Sequence, residues 1–252
     1  MKNLIKFLLF IAITQVYSQT SINGTVSYQQ TITNQDQKKD KEYTLFFNRG
    51  VSYYEEQVDN ELKKEQVKES DGTITLKTRD NKNPQFYYNN LNDGFYFSEI
   101  YYNKHLFVKD DIQLNWQILS ETKEISGYQC QKATANFRGR NYIVWFTNKI
   151  PTPFGPWKLY GLSGLILEAS DQAGFISIKA KKITIKTTSK TENSMPQVKT
   201  NKAITVSDFL KEKQELQDIF IAKINSKLPK GVKPFKIDNA CSDCGKELEV
   251  YD

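Results

Sequence analysis

Short runs with a two-residue alternation, cut by tight turn signals, recur through most of the chain, and this pattern constrains the fold most strongly. A side-chain period of two puts alternate residues on opposite faces of a strand. Ile22, Gly24, Val26 and Tyr28 share one face of the run 22–33. Ile112, Leu114, Trp116 and Ile118 do the same in 112–119. Runs 43–47 and 51–58 flank Asn48-Arg49-Gly50, and runs 128–137 and 142–146 flank Arg138-Gly139-Arg140. Runs 165–169 and 175–185 flank Asp171-Gln172-Ala173-Gly174. Glycine-bearing turns of this length join antiparallel neighbours. Further strand-like runs are 73–78, 85–88, 95–102 and 105–109, whereas 34–40 reads as a polar loop and 61–71 as an exposed loop or ragged strand end. The expected fold is mainly antiparallel β (α+β), a curved sheet or half-open barrel, because so many strands must curl or close to protect their edges. The aromatic content of 13% suits such pleated, half-buried surfaces.

The first residues form a three-part export signal. Lys2 and Lys6 precede an apolar run at 7–13, and Val16-Tyr17-Ser18 offers small residues for a cut after Ser18. The apolar run is shorter than the ~20 residues needed to cross a bilayer, and no Cys follows it to accept a lipid. The expectation is a 1–18 signal peptide and a periplasmic or secreted chain from Gln19, with no transmembrane segment after cleavage. Loss of Lys2 and Lys6 reduces 35 bases to 33 against 29 acids. The lysines are interspersed with acids, a solvated surface rather than a nucleic-acid footprint.

The pattern divides into an antiparallel β domain at 19–188, a Thr-, Ser- and Lys-rich linker or long loop at 189–204, and a C-terminal helix with a Cys-containing tail at 205–252, packed on the same domain. Thr205-x-x-Asp208 forms a capping box, with Ser207 as the alternative cap. Phe209, Leu216, Phe220 and Ile224 recur at helical spacing. The helix is expected to end near Lys227 and to lay its apolar face on the concave side of the sheet.

The most distinctive stretch joins two strands. Trp145-x-Thr147-x-x-Ile150-Pro151 is followed by Gly155-Pro156-Trp157 and then by Gly161-Leu162-Ser163-Gly164-Leu165-Ile166. Proline ends the ladder, the glycines permit positive φ or close backbone approach, and Leu162, Leu165 and Ile166 return to the core. Residues alone give a conformationally demanding loop. With Gly127-Tyr128-x-Cys130-x-Lys132-Ala133, the chain also resembles the GLPGLI family, whose name motif stands here as GLSGLI at 161–166, with Ser163 in place of proline. The resemblance is densest over 120–170. It implies an exported protein of a Gram-negative envelope, similar in its strands to periplasmic lipoprotein carriers that wrap a curved sheet around helices.

No conventional catalytic set stands out. His105 is the one histidine, within a strand-like run, and Ser163 lacks a nucleophile-elbow context. Glu55-Glu56 and Asp110-Asp111 are adjacent pairs that point to opposite faces, and Glu168 is a candidate buried acid. The aromatic runs 86–88, 95–97 and 101–102 read as core and cross-strand pairs, or as an exposed stacking patch. Of Cys130, Cys241 and Cys244, any one pairing leaves one over. A link from Cys130 to the tail is favoured, a local Cys241–Cys244 bridge comes second, and redox or Cys₃His metal use with His105 comes last. No catalytic residue, cofactor site or metal site is assigned. The function expected is non-enzymatic binding or carrying of an apolar ligand, a lipoprotein or an outer-membrane protein. The alternatives are a structural subunit of an outer-membrane assembly, or thiol or metal handling through the C-terminal CxxC.

Overall fold

Each glycine-bearing turn marked above closes a hairpin. In the computed structural model of the chain, residues 21–34, 37–58, 85–188, 195–229, 231–235, 249 and 251 are described. The expectations for 1–18, 61–71, 73–78, Cys241 and Cys244 lie outside them. The strands are β1 (Ser21–Asn34), β2 (Gln37–Asn48), β3 (Val51–Glu56), β4 (Phe86–Asn90), β5 (Gly94–Tyr101) and β6 (Lys104–Asp110). They continue with β7 (Gln117–Ile125), β8 (Tyr128–Phe137), β9 (Arg140–Thr147), β10 (Leu165–Asp171), β11 (Ile176–Thr188) and β12 (Ile204–Thr205), followed by helix α1 (Val206–Asn225). They form one 12-stranded sheet in the order β12-β6-β5-β4-β3-β2-β1-β11-β10-β9-β8-β7. Every pairing is antiparallel except that of β12 with β6. The sheet is open, with one C-terminal helix, as the alternation anticipates.

Two meanders, β2–β6 and β7–β10, are joined where β1 pairs with β11, from Ser21↔Thr188 to Ile32↔Ile176. One face is buried by Val26 and Tyr28 of β1, Leu45 and Phe47 of β2, Tyr54 of β3, Val144 and Phe146 of β9 and Leu165 of β10. The Tyr28 hydroxyl donates to the Ile166 carbonyl at 2.6 Å, tying the sheet centre to the 161–166 segment. On the opposite face of β3–β6, Tyr53, Phe86, Tyr96 and Phe107 stack on one another across the ladder. The aromatic runs are thus cross-strand pairs on both faces.

Three local expectations differ from the structure. Residues 37–40 are strand, not loop, because polar groups pair across the hairpin: the Thr31 hydroxyl donates to Asp40 at 2.6 Å and the Gln29 amide at 3.1 Å. Residues 111–116 leave the sheet despite their alternation. Trp116 Nε1 donates to the Tyr160 carbonyl at 2.8 Å and the Tyr160 hydroxyl to that of Ile112 at 3.3 Å, so this segment packs on the 148–164 loop. At the boundary between the span read as a linker and the helix, residues 204–205 add a parallel strand to β6.

Helix α1 starts as the capping box requires, with Thr205 Oγ1 accepting from the Asp208 amide at 3.1 Å. Only Phe209 of the helix is buried, whereas Ile219 is 64% exposed. Polar ties to the sheet margin explain this: Lys213 meets Glu99 at 3.4 Å, and Lys104 pairs with Glu212. The helix contributes its first turn to the core and otherwise lies along β5 and β6.

Candidate functional site

The buried face of the sheet is covered mainly by the loop 148–164, in which Phe154 to Leu159 are all buried. Its path is set by close backbone approaches. A Cβ on Gly164 would lie 2.1 Å from the Thr147 carbonyl oxygen, and one on Gly155 would lie 2.5 Å from that of Leu159. Backbone bonds then fold the loop onto itself: Leu165 N–H to Ile150 at 3.0 Å, Ile166 to Phe154 at 3.2 Å and Gly161 to Pro153 at 2.7 Å. At the inner bend Trp157 takes φ +56°, a conformation that is an outlier for a bulky residue. Such strain persists where the surroundings over-determine it, frequently at working sites. It sits beside Lys158, a lysine 0% exposed to solvent.

Four further residues converge on Lys158. Its Nζ lies 2.7 Å from Asp110 at the end of β6, 2.8 Å from both carboxylate oxygens of Glu249, and 3.3 Å from the Tyr251 hydroxyl. Arg138 stands in the β8–β9 turn, where φ is +49° at Arg138 and +73° at Gly139, the two-residue geometry that matches strand twist. That turn brings its guanidinium 2.6 Å from Asp110 and 3.9 Å from Glu249. Aromatic rings wall the cluster: the Lys158 ammonium lies 4.0 Å from the centre of Phe97, Arg138 lies 4.1 Å from that of Tyr251, and Phe209 meets Tyr251 edge-on at 6.5 Å. Removing a lysine from water is costly unless it is paired and hydrogen-bonded, and here two cations face two carboxylates.

Burial raises the Tyr251 phenol well above its ordinary range, with the Glu249 charge adding to the rise. Burial likewise raises Tyr142, with Glu249 and Asp171 pushing up and Arg140 pulling down. Tyr142 packs against Trp157 with ring centres 5.8 Å apart. The Tyr142 hydroxyl and Trp157 Nε1 are buried without hydrogen-bond partners among the described residues. The arrangement holds a carboxylate against two cations. Its charged groups neutralise one another, with no nucleophile set against a base.

The motif residues form the holder. Trp145 lies under Lys123 at 4.5 Å, the amide of Lys149 donates to Thr147 Oγ1 at 3.3 Å, and Pro151 is exposed in the loop beyond β9, which already ends at Thr147. Ile150, Leu162, Leu165 and Ile166 are core, Pro156 is buried, and Gly161 takes φ +99°. These positions present Lys158, which the motif's spacing does not mark. Its signal was a lone base in an apolar, Gly- and Pro-rich run between the motif's halves. Asp110, the last residue of β6, is buried, and Asp111, just past the strand, is exposed. Glu168 is half-buried and pairs with Lys123. Ser163 is exposed, donating to Asn148 at 2.8 Å, and His105 is exposed on β6.

Cys130 is a free, buried thiol, and the tail cysteines with which a bridge was expected lie outside the described residues. It sits on β8, and its Sγ donates to the Tyr128 carbonyl at 3.4 Å. Burial pushes its pKa up to about 11, Glu168 adds to the rise, and Lys123 opposes it. Among the described residues no group of three or more His, Cys, Asp or Glu could hold a metal ion, and no helix is long and apolar enough to cross a membrane.

The fold and this site bear on the comparisons with known proteins. The model of the family described as N-glycanase peptide, N-terminal domain, matches residues 26–211. The chain belongs to that family. Among solved structures, that of PNGF-II in space group P21 matches with TM-score 0.51 at 14% identity, covering 77% of this chain and 33% of that one. Its C2 form gives 0.49, and a structure described as an outer membrane lipoprotein-sorting protein domain from Vibrio parahaemolyticus gives 0.32 at 6% identity, covering 75% of this chain and 90% of that one. At 14% identity the likeness to PNGF-II is one of fold, and this member of the N-glycanase peptide N-terminal domain family spans about a third of that protein. Among curated proteins no match is found.

Proposed function

We propose that this domain is an exported, non-enzymatic binding module of the GLPGLI type, working in the periplasm or outside the cell and holding an apolar ligand or a protein partner. The single observation that carries the reading is the buried Lys158. It spends its charge on the carboxylate of Glu249, 91 positions away, rather than on a reacting group. The aromatic lining of Phe97 and Phe209 supports a preference for apolar or aromatic occupants. The Lys2, Lys6 and 7–13 pattern supports export.

Native followed by denaturing mass spectrometry on the protein purified from its own envelope tests the reading. Extra native mass that is lost on denaturation, on a chain beginning at Gln19, is expected. A bare native mass favours the ligand-free accessory subunit. Release of glycans from an N-glycosylated protein by this chain alone would overturn the non-enzymatic reading.

A further inference from the structure

We propose that the Lys158–Arg138 cradle is an exchangeable receptor for a peptide carboxylate that carries an aromatic ring two residues later, with Glu249 and Tyr251 of the chain itself as resident occupants. This rests on the domain being a binding module. It adds the ligand class and the means by which the site is kept filled.

Charge balance comes first. Without Glu249, Lys158 and Arg138 share one buried carboxylate, Asp110, at 2.7 and 2.6 Å. One positive charge is then left against rings that cannot neutralise it, so the vacated site selects a single negative charge. The cradle's own framework does not depend on the segment, since Asp110, Arg138 and Lys158 come from β6, the β8–β9 turn and the loop 148–164.

The resident is held by its side chains. Glu249 meets Lys158 and Arg138, and Tyr251 meets Arg138, Phe209 and Lys158. Any peptide offering the same two side chains at the same spacing reproduces this set. The phenol is part of the recognition, because the Tyr251 hydroxyl donates to Glu249 Oε2 at 2.9 Å and lies 3.3 Å from Lys158. Solvent reaches the outer side of the cradle, where Arg138 is 19% and Glu249 13% exposed, while Lys158 and Asp110 remain sealed behind them.

The test uses the full chain carrying Glu249→Gln and Tyr251→Ala, with native-like circular dichroism as the folding control. The probe is a fluorescein-labelled synthetic peptide of the sequence of residues 247–252, followed by fluorescence anisotropy. At least tenfold tighter binding to the variant than to the parent is expected, since the parent's site is filled. Glu→Gln in the peptide at the position of 249, or Lys158→Met in the protein, should each lose tenfold or more. No binding by a folded variant, or equal binding by parent and variant, overturns the proposal. A decanoate that competes as well as the peptide would replace the acidic–aromatic peptide with a fatty carboxylate. If the double variant does not fold, the Tyr251 amide resonance of the parent decides: movement with millimolar peptide supports displacement, and none refutes it. A bare native mass would count against the carrier reading while leaving this titration interpretable.

Discussion

Lys158→Met keeps the length of the side chain and removes its charge, leaving Asp110 and Glu249 with Arg138 as their remaining cation. Arg138 lies 2.6 Å from Asp110 but 3.9 Å from Glu249, so Asp110 keeps a partner and Glu249 nearly loses one. Breaking a buried pair from one side costs about 3–5 kcal/mol. Because Arg138 stays, the lower end applies, about 3 kcal/mol. For a domain of this size each kcal/mol moves the melting temperature by roughly 2–4 °C, so a fall of about 6–12 °C is expected. Urea unfolding of the parent, Lys158→Met, Glu249→Gln and the double variant gives the cycle. The double variant should recover at least ~1 kcal/mol over the sum of the singles, because neither charge is then left alone. A Lys158→Met loss below about 1 kcal/mol, or strict additivity, would mean that Lys158 is solvated and its pairing with Glu249 is not coupled to folding.

Gly164→Ala should cost about 3 kcal/mol or more, since its Cβ would stand 2.1 Å from a backbone oxygen. Gly127→Ala has φ +81° but nothing within 4 Å and should cost only ~1–2 kcal/mol, and equal melting temperatures for the two would contradict the close approach. The fold favours the neutral Cys130 thiol, so its contribution is full below pH 9.0 and is lost as the pH rises through about 11. Iodoacetamide at pH 9 should therefore label Cys130 in urea but not in the folded chain, and equal labelling in both states would refute its burial. Thr205→Ala removes the cap at Asp208 and should lower stability by ~1 kcal/mol, visible as faster amide exchange in the first turn of α1. Unchanged exchange there would refute the cap's contribution.

The sheet was legible because alternation and glycine turns are local signals. The hairpins around Arg49-Gly50 and Arg138-Gly139 follow from them directly. The extended polar arms of β1 and β2 were not legible, since Thr31 and Asp40 stabilise them without any apolar pattern. The alternation of 112–116 pointed to a strand, yet Trp116 and Ile112 are engaged by Tyr160 of a loop far along the chain. The motif announced a demanding loop, and the close contacts of Gly155 and Gly164 give the reason. The site itself was hidden, because Lys158 gains meaning only when Asp110, Arg138 and Glu249 arrive from three distant places. Charge pairing over such separations leaves no periodicity to read. Cys130 reads in the sequence only as one of three cysteines, and its inward, buried place on β8 comes from the sheet.

The pairing of β1 with β11 carries a consequence for how the chain reaches its native state. Ser21 waits for Thr188, and until β11 forms, one long margin of β1 offers its amides and carbonyls to any passing strand. A sheet sealed by contacts of such long separation assembles slowly, since much loop-closure entropy is lost before the final ladder compensates for it. Any fragment ending before residue 176 should therefore associate edge to edge, and any helper of this chain's folding would have most to gain by shielding β1.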